Sequence, residues 1–248
     1  MSLPVHLVDS LDGVTPGTTV VVEGDEAHHA VAVRRLRVGE EVMLTDGRGR
    51  RATGAIALTG KRRLDVVVDT LDHLPVPEPR ITVVQALPKG ERGELAVEVL
   101  TEIGVATIVP WAASRSVAVW RGERAAKSLA KWRATAREAA KQARRAWFPH
   151  VEELASTTEV AALAAEHDVV AVLHEGASSS LVDLPAGQRV LVVVGPEGGI
   201  SPDELAEFEQ AGAFGVRLGD EVLRTSTAGV AAVAALLART DRWRLSAR

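Results

Sequence analysis

Gly195-Pro196-Glu197-Gly198-Gly199-Ile200 follows Val190-Leu191-Val192-Val193-Val194, an unbroken run of apolar residues. Such a run reads as a strand covered on both faces. Glycines directly behind it let the backbone approach a flat ligand closely. Ser201-Pro202-Asp203-Glu204 then starts a helix, with Ser201 as N-cap, Pro202 at the first position and Glu204 closing a capping box. Two other strand ends carry unusual residues: Leu173-His174-Glu175-Gly176, and Leu218-Gly219-Asp220-Glu221-Val222-Leu223-Arg224-Thr225-Ser226-Thr227-Ala228. Ligands of open α/β sheets bind beyond the carboxyl ends of the strands, so these three turns are candidate walls of one site. Arg224 stands just before a helix of small apolar residues, where Thr225, Ser226 and Thr227 could each cap. A cation is a poor partner for a helix N-terminus, and that mismatch points to an anionic group held nearby.

Several chemistries lack their residues. No Gly-x-x-x-x-Gly-Lys-Ser/Thr occurs and no Gly-x-Gly-x-x-Gly follows a strand, which removes the main support for ATPase and dinucleotide readings. The seven histidines show no metal-ligand spacing, and adjacent His28-His29 would point to opposite sides of a strand, so no metal is expected. The absence of cysteine excludes disulfide frameworks, iron–sulfur clusters and cysteine nucleophiles. The net charge of −4 argues against coating nucleic acid by bulk charge. Two segments are nonetheless basic. Between His28 and Arg63 stand Arg34, Arg35, Arg37, Arg48, Arg50, Arg51, Lys61, Arg62 and Arg63, opposed by Glu40, Glu41 and Asp46. Between Arg121 and Arg145 nine cations face Glu123 and Glu138. Such faces neutralise phosphates, and nucleic acid is the expected partner.

The elements that must position these residues fall into two parts. Pro75-Val76-Pro77-Glu78-Pro79 reads as a stiff extended connector between residues 1–74 and 80–248. Before it, short strand candidates (19–22, 41–44, 52–56 and 64–68) and the hairpin signal Asp46-Gly47-Arg48-Gly49 predict a small β-barrel. After it, strands at 81–86, 107–110, 169–173, 190–194 and 215–218 alternate with helical patterns near 91–103, 123–146, 157–165, 202–211 and 225–239. That alternation predicts an α/β domain with a mostly parallel sheet. The longest apolar stretch, Ala228 to Ala238, is far short of the roughly 20 residues of a membrane span. With no signal-peptide pattern at Met1-Ser2-Leu3-Pro4-Val5-His6, a cytoplasmic location and no membrane partner are expected.

Gly195-Pro196-Glu197-Gly198-Gly199, followed by Leu218-Gly219 and Val222-Leu223-Arg224-Thr225, resembles the RsmE family of 16S rRNA uridine-N3 methyltransferases. His28-His29 with Val33-Arg34 and Gly39 is similar to that family's N-terminal signature. Lys89-Gly90, Glu94 and Glu102-Ile103-Gly104 resemble the opening of its catalytic domain, and Lys131-Trp132, Gln142 and Arg144 its basic helix. Ser226 stands where the family commonly has glutamate. The resemblance covers essentially the whole chain. It implies a PUA-like RNA-binding barrel, a SPOUT domain with a trefoil knot, and a homodimer acting on 16S rRNA or the small ribosomal subunit, with uridine 1498 the family target.

The same resemblance implies that S-adenosylmethionine is held by Leu173, His174, Glu175, Gly195, Pro196, Glu197, Gly198, Gly199, Ile200, Leu218, Gly219, Leu223, Arg224, Ser226 and Ala228. Arg34, Arg35, Lys89, Arg92, Arg133 and Arg144 are the expected RNA contacts. The donor's methyl sits on a sulfonium and needs no metal or covalent enzyme intermediate. Carbon-5 methylation of uridine usually needs a cysteine, which this chain lacks. Attack from N3 requires loss of its proton, with Arg224 stabilising the anion and Glu197 as base or loop anchor. A SPOUT ribose 2'-O-methyltransferase and a non-catalytic RNA-binding assembly protein are the alternatives.

Overall fold

The computed structural model describes residues 3–244. By its contacts the chain divides into two compact units: residues 1–76 with 141–148, and residues 77–140 with 149–248.

The first unit is built on β1 (Val5–Leu7), β2 (Thr19–Glu23), β3 (Glu41–Thr45), β4 (Arg50–Gly60) and β5 (Arg63–His73), in the order β1-β3-β4-β5-β2. β1 lies parallel to β3 and the remaining pairs are antiparallel. The Asp46–Gly49 turn joins β3 to β4 as its glycines predict, and alternate residues of the strands (Val42, Leu44, Ile56, Leu64, Val66, Val68) fill the core. One local expectation fails. His28 and His29 lie in helix rather than strand: α1 (Gly24–His28) runs directly into a π-helical stretch, His29–Val33. Ala27 and Ala30 are the buried residues of this segment, and a helical turn is what puts positions three apart on one side.

Residues 141–148 fold against this unit through specific bonds. Lys141 Nζ lies 2.8 Å from Glu26 Oε2, and His6 Nδ1 lies 3.1 Å from Glu26 Oε1. Burial would push the Glu26 carboxyl up, but the hydrogen bonds from His6 and Lys141 outweigh it and hold the pKa at about 2. The Trp147 indole donates to the Leu74 carbonyl at 3.0 Å, and its ring occupies the space a side chain at residue 49 would need.

The second unit carries a seven-stranded sheet. In chain order it contains β6 (Arg80–Ala86), α2 (Arg92–Ile103), β7 (Thr107–Trp111), α3 (Glu123–Gln142), β8 (His150–Val151) and α4 (Thr157–Ala162). Then come β9 (Val169–Leu173), β10 (Ser179–Ser180), β11 (Arg189–Val194), α5 (Pro202–Gln210), β12 (Phe214–Arg217) and α6 (Thr225–Leu237). The last two residues of α3 fall in the first unit. The strand order is β10-β12-β9-β11-β6-β7-β8, and every pairing is parallel. β11 explains its own sequence: Val190, Val192 and Val194 pack into one core while Leu191 and Val193 pack into the other. α6 lies on α2, and a side chain at Gly229 would meet Leu100, Val194 and Val83 at 3.1–3.6 Å. The small residues of Ala228–Ala238 thus serve close helix-to-sheet packing. Among the described residues no helix is long and apolar enough to cross a membrane.

Candidate active site

The sheet register sets where the three turns begin. Val216 of β12 pairs with Leu173, Leu173 with Val194, Val194 with Gln85, and Gln85 with Pro110. That row lies at the carboxyl ends of five neighbouring strands. The segments starting at His174, Gly195 and Leu218 therefore leave the sheet side by side, as do those after β6 and β7.

Each turn is tied to a neighbouring strand or loop. The His174 N–H donates to the Val216 carbonyl at 3.0 Å. The Lys89 N–H, in the loop after β6, donates to Glu197 Oε1 at 3.2 Å. Gln85, 1% exposed, donates from Nε2 to the carbonyls of Ala86 and Thr225, both at 3.2 Å, fixing the first residue of α6 to the end of β6. Those two acceptors also decide which end of the amide is nitrogen, and they leave Oε1 buried without a partner.

Within the glycine turn two positions demand the residue they have. Gly199 has φ +73° and closes a bond from its N–H to the Pro196 carbonyl. A Cβ on Gly195 would stand 2.7 Å from Ile200 Cγ1, so the buried Ile200 can fold back beneath the turn only because residue 195 has no side chain. Glu197, Gly198 and Gly199 are exposed, Pro196 is buried and Gly195 is half-buried. In the other two turns Leu173, His174, Leu218 and Ala228 are half-buried, and Glu175, Gly219, Leu223 and Arg224 are exposed. Ser226 is buried within the first turn of α6. Arg224 is the N-cap residue of α6 and caps nothing with its side chain; among the described residues its guanidinium has no ion pair or hydrogen bond.

The expected RNA contacts divide between the two units. Lys89, Arg92 and Arg133 belong to the second; Arg34, Arg35 and Arg144 belong to the first and are exposed. Arg133 is already engaged, donating to the Val151 carbonyl and to Glu153, both at 3.0 Å. In the first unit Asp12 and Asp46 face Arg50, Asp25 faces Arg62, and Asp65 faces Arg63. Sequence counting missed most of these partners because they lie outside the basic window or across a strand pair. It also missed Ser114 and Arg115 after β7, where Arg115 Nη1 donates to the Gly198 carbonyl at 3.3 Å. Nothing local marks them. Among the described residues no group of three or more His, Cys, Asp or Glu is placed to hold a metal ion. A cavity of about 470 Å³ opens at the opposite end of the sheet, lined by Arg80, Thr82, His167 and Arg189 among others, and shares no residue with these turns. Strand polarity places the candidate site at the turns, not there.

Comparison with known proteins decides the family. Residues 76–237 match the RNA methyltransferase domain family, and residues 22–69 match the RNA methyltransferase PUA domain family. The chain is 48% identical over 241 residues to ribosomal RNA small subunit methyltransferase E of Mycobacterium tuberculosis, covering 93% of this chain and 90% of that protein. It belongs to the small-subunit rRNA methyltransferase E family. The Bacillus subtilis member of the family is 28% identical, over 90% of this chain and 91% of its own length.

Solved structures agree with that membership. A methyltransferase from Legionella pneumophila in complex with S-adenosylmethionine superposes with a TM-score of 0.88, at 26% identity and 96% and 98% coverage. Methyltransferase E from Neisseria gonorrhoeae bound to S-adenosylmethionine does so with a TM-score of 0.85, at 28% identity and the same coverage. The PUA match falls on the five-stranded sheet, and the methyltransferase match on the parallel sheet with its C-terminal turns.

Proposed function

We propose that the chain methylates a uridine of 16S rRNA at N3 with S-adenosylmethionine, the family target being uridine 1498, and that it works as a homodimer in the cytoplasm. The observation that carries this reading is the Val216–Leu173–Val194–Gln85 row, which brings the three turns to one edge of the sheet. The fit to the cofactor rests on the turns themselves: the exposed backbone of Glu197–Gly199 and the apolar Leu173, Ile200, Leu218 and Leu223 suit an adenosine and its aliphatic arm. The cofactor supplies a methyl group already activated on a sulfonium.

The residues then have separable tasks. Arg224, charged and unpaired among the described residues, stabilises the negative charge that develops on the uracil as N3 loses its proton. Glu197 joins the β6 and β11 loops through Oε1; its other oxygen, without a hydrogen bond among the described residues, is the proton acceptor. Lys89 and Arg92 stand exposed beside this loop and meet RNA phosphates. Placing N3 in line with the methyl group supplies much of the rate.

The deciding experiment is nucleoside mass spectrometry of small-subunit rRNA from cells with and without the protein. Loss of 3-methyluridine is expected; loss of a 2'-O-methyl nucleoside instead would replace the reaction, and no change would remove it. Arg224→Ala should lower kcat by roughly 10²–10³-fold at saturating cofactor. Full turnover by that variant would strip Arg224 of its role.

A further inference from the structure

A capping box needs only one oxygen of its glutamate, yet at α5 both are in use. Glu204, 5% exposed, accepts the Ser201 N–H at 2.9 Å and its hydroxyl at 2.8 Å on Oε2. Oε1 accepts the Ser114 N–H at 2.7 Å and the Thr157 hydroxyl at 3.3 Å. An ionised carboxylate has about four acceptor positions and no donor, so four converging donors satisfy it.

The donors come from both sides of the glycine turn. Ser201 directly follows Ile200, the last residue of the turn. Ser114 directly precedes Arg115, whose guanidinium holds the Gly198 carbonyl. A Cβ at Gly198 would lie 3.1 Å from both Arg115 Cβ and the Arg115 carbonyl oxygen, so the turn lies against the backbone of this loop. One carboxylate thus fixes the far end of the turn and the loop on which its middle rests.

We infer that Glu204 is a positioning residue of the methyl-transfer site: it clamps the 195–200 turn against the loop after β7 and sets the affinity for S-adenosylmethionine without touching it. The inference rests on the reading of that turn as the cofactor wall. It differs from a plain helix-capping role, in which losing the carboxylate would weaken α5 and leave the loop after β7 undisturbed.

The test compares the full-length parent with Glu204→Ala, Glu204→Gln and, as control, Glu159→Ala, the matching position of the α4 box. Without cofactor, Glu204→Ala should speed amide hydrogen exchange at both 113–116 and 195–200, and the control should change neither. By calorimetry its Kd for S-adenosylmethionine should rise at least about tenfold, with KM rising in step and saturated kcat staying within about threefold. Glu204→Gln, which keeps one accepting oxygen, should fall between and stands in if the alanine variant does not fold. A folded Glu204 variant with parental exchange in both loops, or with faster exchange but parental affinity, overturns the inference. A parent that does not bind the cofactor overturns the reading of the turn instead, and the exchange pattern alone then decides whether Glu204 clamps it.

Discussion

Helices α4 and α5 open on the same motif, Ser156-Thr157-Thr158-Glu159 and Ser201-Pro202-Asp203-Glu204. In each, the serine hydroxyl accepts the glutamate N–H at 3.3 Å, and the carboxylate takes back the serine N–H and hydroxyl at 2.8–2.9 Å. The surroundings differ. Glu159 is exposed and serves its own helix; Glu204 is buried and also receives Ser114 and Thr157. One local device is a helix start in the first case and a junction of three chain segments in the second. A motif's bonds are set by sequence, but its energetic weight is set by what the fold packs around it.

The largest effect that separates the two boxes is on stability. Glu204→Ala should cost about 2 kcal/mol, because it removes a buried carboxylate that accepts the Ser114 N–H and the Thr157 hydroxyl besides its own helix cap. The midpoint of thermal unfolding should fall by several degrees, roughly 2–4 °C per kcal/mol for a chain of this size. Glu159→Ala should barely move it. Equal shifts in the two variants would dissolve the contrast.

Acid tests the buried box next. Burial alone would raise the Glu204 carboxyl, but the backbone bonds from Ser114 and Ser201 outweigh it and bring the pKa below the ordinary 4.5. A lowered folded pKa contributes stability above the unfolded value and loses it as pH falls through the folded one. The stability gap between parent and Glu204→Gln should therefore be full near about pH 6 and shrink as the pH falls below the ordinary 4.5 in denaturant titrations. A gap that widens in acid would contradict the charge-based account. Glu26 provides an independent case of the same sign, its contribution fading between the ordinary 4.5 and about 2.

The serines should behave alike. Ser156→Ala and Ser201→Ala each remove one N-cap hydroxyl and should each cost about 1 kcal/mol by chemical denaturation. A much larger cost at Ser201 would place the extra stability in the cap itself, not in the second carboxylate oxygen.

What the sequence shows and hides follows the same division. The Ser201–Glu204 cap, the buried β11 and the glycine turn are legible because each depends on residues within a few positions of one another. The Ser114–Glu204 bond spans 90 residues and the Lys141–Glu26 bond 115, so neither has a local signature. Lys141 reads as one more cation on a basic helix, yet it is buried on Glu26. His28-His29 reads as two neighbours on opposite sides of a strand, and only the packing of Ala27 and Ala30 in the core reveals a helical turn. Gln85 gave no signal at all. Its part in the site comes from register, which a single strand does not carry.

Thr157 is where the two boxes meet, and it gives the smallest and sharpest test. Its hydroxyl accepts the Trp111 indole N–H at 3.2 Å and donates to Glu204 Oε1 at 3.3 Å, while its residue forms the first turn of α4. Thr157→Val keeps the shape and removes the hydroxyl, so the indole loses its acceptor and Glu204 loses one of four donors. The single change should cost about 1 kcal/mol. Because both side chains share one hydrogen bond, the double variant with Glu204→Ala should be less destabilised than the sum of the singles, by about 0.5–1 kcal/mol. The pair Thr157→Val with Glu159→Ala touches no shared hydrogen bond of the Glu204 carboxylate and should show much less coupling of this kind. Coupling of the same size in both cycles would mean that Thr157 acts through the α4 helix start and not through the buried carboxylate, and the two boxes would then be one cooperative element.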